Sequence, residues 1–103
     1  MNQNSNSYII SSTLELGAVP AVIVGDNRSR TAVIISNKSS ATVTFGTMGE
    51  VSAVRGIDLA PGQKVTITEQ YDGDFARIQL TGIASAEGAA ISVYQVMTYR
   101  GIQ

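Results

Sequence analysis

The chain is cut into short pieces. Between residues 8 and 97, runs rich in Val, Ile, Thr, Tyr and Phe are broken by Gly, Pro, Asn or Asp at intervals of roughly 8–12 residues. No window carries apolar residues at a period of 3.6 over three turns, so a helical core has nothing to be built from. The runs that remain can bury their apolar faces only by packing sheet against sheet.

Read in order, the runs differ in quality. Residues 8–12 and 19–24 open the series, with Pro20 near the start of the second, where a sheet tolerates proline. Val33-Ile34-Ile35 is continuous and suits a strand covered on both faces. Residues 41–45 alternate, with Ala41, Val43 and Phe45 on one side and Thr42 and Thr44 on the other. The compact Asn37-Lys38-Ser39-Ser40 link between these two runs predicts a β-hairpin.

Residues 46–56 read either as a long loop or as a weak edge strand through Val51 and Val54. Pro61-Gly62 predicts a type II turn, followed by a strand over 64–68 with Val65 and Ile67 inward. Tyr71-Asp72-Gly73-Asp74 reads as a turn, residues 75–80 as an alternating strand, and 82–88 as a small-residue connection. Residues 90–97 form the last and most apolar strand, with both faces expected to be covered, either by the core or by a partner.

The expectation is a single all-β domain over 8–103, preceded by a polar arm at 1–7. It is a β-sandwich, jelly-roll-like or Ig-like, of about seven or eight short antiparallel strands with no substantial helix. At 103 residues there is material for one core and not for two.

Composition narrows the chemistry. The chain contains no Cys and no His, which removes disulfides, thiol nucleophiles, the usual zinc ligands and the usual proton shuttle. Lys64 opens an alternating strand and reads as an edge charge rather than a catalytic base. Asp72 and Asp74 around Gly73 lack the further acids of a helix–loop–helix calcium site and read as turn residues. Gly46-Thr47-Met48-Gly49 lacks the lysine of a phosphate loop. Sugar binding would favour an aromatic platform, yet there is no Trp and the four Tyr are scattered. Neither an enzyme nor a cofactor site is expected.

Net charge is −1 with no basic run, so a nucleic-acid partner lacks its electrostatic footprint. No apolar stretch reaches the roughly 20 residues of a spanning helix, and residues 1–7 carry no secretory pattern, so synthesis in the cytoplasm without a membrane partner is expected. Charged residues make up 15% of the chain, against the usual quarter. That lowers the desolvation cost of covering its surface with another protein.

Three groups of residues stand out as candidate contacts. The arm, with Asn2, Gln3 and Asn4, either frays or orders against a neighbour. Tyr8, Ile9 and Ile10 near the start, and Val96, Met97 and Tyr99 near the end, are more apolar than a solvated edge should be. They are core if the terminal strands pair and an interface if either lies at an edge. Arg28 and Arg30 alternate and are expected to project from one side, paired with Asp26 or bridging to another subunit.

The stretch from Asn27 through Arg28-Ser29-Arg30-Thr31-Ala32-Val33-Ile34-Ile35-Ser36-Asn37 carries a resemblance. It continues through Thr44-Phe45-Gly46, Gly56-Ile57-Asp58-Leu59-Ala60-Pro61-Gly62 and Tyr71-Asp72-Gly73-Asp74-Phe75-Ala76-Arg77-Ile78 to Ile91-Ser92-Val93-Tyr94-Gln95-Val96. This resembles small β-sandwich virion proteins of tailed bacteriophages, the head decoration or cement proteins and related fibre or spike modules. The resemblance implies a structural virion protein on the capsid surface, commonly a homotrimer, clamping adjoining major capsid protein subunits. Another virion component (head fibre, spike, connector or tail protein) and a non-viral carbohydrate- or protein-binding module are the alternatives.

Overall fold

The computed structural model describes residues 5–47, 51–52 and 54–100. Among these residues eight strands form two four-stranded sheets. The first holds β1 (Ser5–Leu16), β8 (Ala89–Arg100), β3 (Arg30–Asn37) and β6 (Lys64–Thr68), in that spatial order. The second holds β2 (Ala21–Val24), β7 (Leu80–Ala84), β4 (Val43–Thr47) and β5 (Ile57–Leu59). Every pairing is antiparallel, and the pairs are nested: first with eighth, second with seventh, third with sixth, fourth with fifth. Such a chain is one long hairpin wound around a barrel axis, the jelly roll. The all-β sandwich expected from the sequence is the observed fold, and this nesting selects the jelly roll over the Ig-like arrangement.

The core follows from alternation. Leu16, Val33, Ile35, Ile67, Ile91 and Val93 point inward from the first sheet and meet Val24, Val43, Phe45, Leu59, Leu80 and Ala84 of the second. Each large side chain contributes about 1.5–3 kcal/mol by leaving water. Gly82 has no room for a side chain: a Cβ there would sit 2.7 Å from Ile23 Cδ1 of its own sheet and 3.1 Å from Leu16 Cδ1 of the other.

Four expectations are corrected. Residues 31–36 and 41–45 do not form a hairpin, because β3 belongs to the first sheet and β4 to the second. Asn37 holds that corner. Its buried amide donates to the carbonyls of Ala41 and Leu59, while its oxygen accepts from the N–H and hydroxyl of Ser39. Residues 69–76 are not a turn running into a strand. They form a short helix α1 (Glu69–Asp72) and a 3-10 turn (Gly73–Ala76). Thr68 caps α1 by accepting from Tyr71 N–H, and Gly73 closes it at φ 59°.

Residues 80–84, read as part of an alternating strand and of a loop, are the wholly buried strand β7. Of the expected arm at 1–7, residues 5–7 are already strand, with Ser5 paired to Arg100, and residues 1–4 lie outside the described residues. The turn at Pro61-Gly62 is as expected, with Gly62 at φ 82° and Gln63 N–H bonded to Ala60 O.

Candidate functional site

β1 lies at the margin of the first sheet and pairs with β8 over its full twelve residues, from Ser5↔Arg100 to Leu16↔Ala89, without a register shift. Its C-terminal end is roofed by the second sheet, so Leu16 is buried and Leu14 packs on the core. Its N-terminal part runs past that roof. Tyr8 and Ile10 share the inward parity of Leu14 and Leu16, yet they remain 47% and 42% exposed. Ile9, on the opposite face, is 61% exposed. Both faces of one edge strand are therefore apolar and open to water.

The direction of the backbone groups can be read from neighbouring bonds. Lys38 N–H bonds to Ala90 O, and Thr98 N–H to Ser29 O, so the even-numbered residues of β8 face β3. Odd-numbered residues of β8 then face β1, where they meet Tyr8, Ile10, Ser12 and Leu14. It follows that Ser5, Ser7, Ile9, Ser11 and Thr13 direct their N–H and C=O groups outward from the sheet. The bond from Ala84 N–H to Gly17 O, on the same parity, agrees.

The other three margins are guarded. β2 has four residues, follows Pro20 and breaks register between Val22 and Val24. β5 has three residues. β6 has five, opens on Lys64 and turns directly into α1. Proline, lysine, bulges and shortness are the devices that stop a sheet from accepting another strand. Residues 5–14 of β1 carry no charge, no proline and no bulge.

Rows across the sheet tie β1 to the other candidates. On the outer face, Ile9 lies beside Val96 and then Ala32, and in the next outer row Ser11 lies beside Tyr94 and Ile34. Val96 is half-buried and Tyr94 is 46% exposed, so within one chain the core covers only the inner face of β8. A shallow concavity of about 310 Å³ lined by Ser11, Ser12, Thr13, Ser92 and Tyr94 adjoins this patch. It offers hydroxyls and one ring, with no ionisable pair for acid–base work. Val19, Val22, Val54, Ile57 and Tyr71 are also exposed, in other elements.

The inner row runs Tyr8, Met97, Arg30. Met97 is only 2% exposed, and Arg30 only 1%. The Arg30 guanidinium donates to the carbonyls of Ala76, Gly25 and Ile78 at 2.7–2.9 Å and to Gln95 Oε1 at 3.0 Å. Burial lowers its pKa, an effect the nearby Asp26 carboxylate opposes. Arg30 therefore ties three segments of its own chain and does not project beside Arg28, which is exposed. Asp26 accepts from Gln79 N–H instead. Asp72 and Asp74 serve locally, accepting from Thr68 N–H and from Arg77.

Of the sequence candidates, Tyr8, Ile9, Ile10 and Val96 come together at the β1 margin. Tyr99 joins them through the backbone pairing Asn6↔Tyr99. Asn2, Gln3 and Asn4 lie outside the described residues. Tyr94 and the hydroxyl run Ser11-Ser12-Thr13 were missed, although the outward parity of Tyr94 was already visible in the alternation of β8. Among the described residues no cluster of three or more acidic side chains could hold a metal ion.

No protein-family model matches the chain, and no curated protein does. Among solved structures, the chain is similar to one described as "Bacillus endospore appendages form a novel family of disulfide-linked pili". The TM-score is 0.57 at 17% identity, over 97% of this chain and 91% of that one. The likeness extends across the whole sandwich, and at this identity it shows a shared fold.

Proposed function

We propose that this chain is a non-enzymatic structural subunit of a multi-copy protein assembly, docking through the β1 margin of its first sheet. The observation that carries the reading is a long, regular edge strand, uncharged from residue 5 to 14, whose apolar residues Tyr8, Ile9 and Ile10 are open to water on both faces. A protein that works alone guards such an edge. The outer patch of exposed Ile9 and Tyr94 with half-buried Val96 supplies side-chain area around the edge, and Tyr is among the residues enriched at contact cores.

The resemblance to phage decoration proteins supports a virion as the setting, with the chain adding a modest contact at each of many equivalent sites on the head. A lattice that binds many copies gains stability from each one. Velocity sedimentation of the untagged chain in its source lysate tests this. Co-migration in many copies with DNA-filled particles is expected, and slow sedimentation as a free species would contradict it.

A second reading, a subunit of a surface appendage, is favoured by the whole-length likeness to the pilus structure. With no cysteine in these 103 residues, a disulfide link has no counterpart here, and contacts between subunits would be non-covalent. Co-sedimentation with DNA-free filaments would select this reading.

A further inference from the structure

We propose that the partner of the β1 margin is β1 of a second copy, paired antiparallel about a two-fold axis through Ile9. This names the partner of the surface described above and rests on that reading. The register follows from the residues. Groups facing outward belong to the odd-numbered residues of β1, so odd must meet odd across the junction. Three registers near the apolar tract satisfy that rule, centred on Tyr8, Ile9 or Ile10.

Only the middle one gives each of Tyr8, Ile9 and Ile10 an apolar partner. Ile9 faces Ile9, Tyr8 faces Ile10 and Ile10 faces Tyr8, while Ser7 faces Ser11 and Ser5 faces Thr13. Centring on Tyr8 sets Ile9 against Ser7 and Ile10 against Asn6. Centring on Ile10 sets Ile9 against Ser11 and Tyr8 against Ser12. In the favoured register no charge occurs between residues 5 and 13 of either copy, so no like charges oppose. A segment matched to its own reverse, with neutral pairing throughout, fits a second copy better than it fits an unrelated strand.

The axis stands perpendicular to the sheet, so each face continues across the junction. The outcome is one eight-stranded sheet, β6-β3-β8-β1 continued by β1-β8-β3-β6 of the second copy. On its inner side Tyr8 and Ile10 of one copy cover those of the other where neither roof reaches. On its outer side the two Ile9–Val96–Ala32 rows join into one apolar band. The closed symmetry yields a dimer, or an even-numbered assembly of dimers, rather than the trimer implied by the phage resemblance.

The test is sedimentation equilibrium of the purified full chain, with three variants. The native chain is expected at twice its 10.8 kDa mass, dissociating on dilution. Ile9→Lys brings two ammonium groups together on the axis at an already exposed position, and raises the dissociation constant at least about tenfold. Val19→Lys, exposed away from β1, leaves it unchanged. Register is read by mixing Tyr8→Cys with Ile10→Cys chains under mild oxidation, the native sequence having no cysteine of its own. These positions would form a non-hydrogen-bonded pair, close enough for a disulfide. Cross-links are expected between the two variants and not within either alone.

A monomer at every concentration, a trimer, or cross-linking within a single variant would overturn the proposal. A monomer that still migrates with particles would overturn the dimer and leave the assembly reading standing. A dimer that never enters particles would do the reverse.

Discussion

One row of the first sheet holds two opposite departures from the rule that charge lies outside and apolar groups lie inside. At its inner end Arg30 is buried. At its outer end, two strands away, Tyr8 is half exposed, with Ile9 and Ile10 beside it. The two regions differ in whether the chain satisfies its own groups. Four protein acceptors surround the guanidinium, so the Arg30 corner is closed and offers nothing to a partner. The β1 margin keeps a line of outward backbone groups between apolar side chains that its own roof fails to reach. A contact surface is thus marked by incomplete apolar and backbone pairing, while a conspicuous charge can be wholly internal.

The comparison can be broken from the closed side first. Arg30→Met should destabilise the fold by about 3 kcal/mol or more, because the carbonyls of Gly25, Ala76 and Ile78 lose their donor inside the protein. Chemical denaturation of the variant measures this. Stability within about 0.5 kcal/mol of native would show that the corner is not a fastener. Asn37→Ala should cost about 2 kcal/mol by the same measurement, since its amide joins the carbonyls of Ala41 and Leu59 at the crossing between sheets.

Thr81 sharpens the point with the opposite sign. Its hydroxyl is buried and has no hydrogen-bond partner among the described residues. Thr81→Val should therefore raise stability by about 1 kcal/mol, read as a higher denaturation midpoint. On the open side, Ile9→Lys should change the stability of the isolated subunit by less than about 0.5 kcal/mol, because the residue already faces water. Its effect belongs to association, and a large loss of subunit stability would mean that Ile9 is structural.

The sequence carried the strands better than their partners. Alternation at 64–68 reported faces correctly, because face is a local property with a period of two. Continuity at Val33-Ile34-Ile35 suggested two covered faces, whereas only Val33 and Ile35 are buried. Sheet membership is not local: the polar link at 37–40 has the composition of a hairpin turn, yet the buried Asn37 amide ties β3 to β5 of the other sheet. Residues 75–80 alternated as a strand should, but Thr68 and Gly73 supply a cap and a stop for a helix just upstream, a signal present in the sequence and outweighed by the alternation. At β7 the small residues read as loop because nothing in the sequence shows that Leu16 and Ile23 crowd against Gly82.

The apolar ends were legible as residues, and whether they were core or interface was not. The answer depends on where the second sheet, which meets β1 through β7, stops roofing it, a matter of lengths in distant segments. The terminal strands do pair with each other, and β1 is also an edge. Arg30 shows the converse limit, since alternation placed it beside Arg28 while the break in register between Arg30 and Ala32 turned it inward.

The central claim is that the β1 margin is where this chain joins others, and residue-resolved amide hydrogen exchange tests it most directly. At low concentration Ser7, Ile9, Ser11 and Thr13 should exchange quickly, while Tyr8, Ile10 and Ser12, facing β8, are protected. Raising the concentration should slow the first group alone. Fast exchange of that group at every concentration, or new protection at β2 or β6 in its place, would contradict the account.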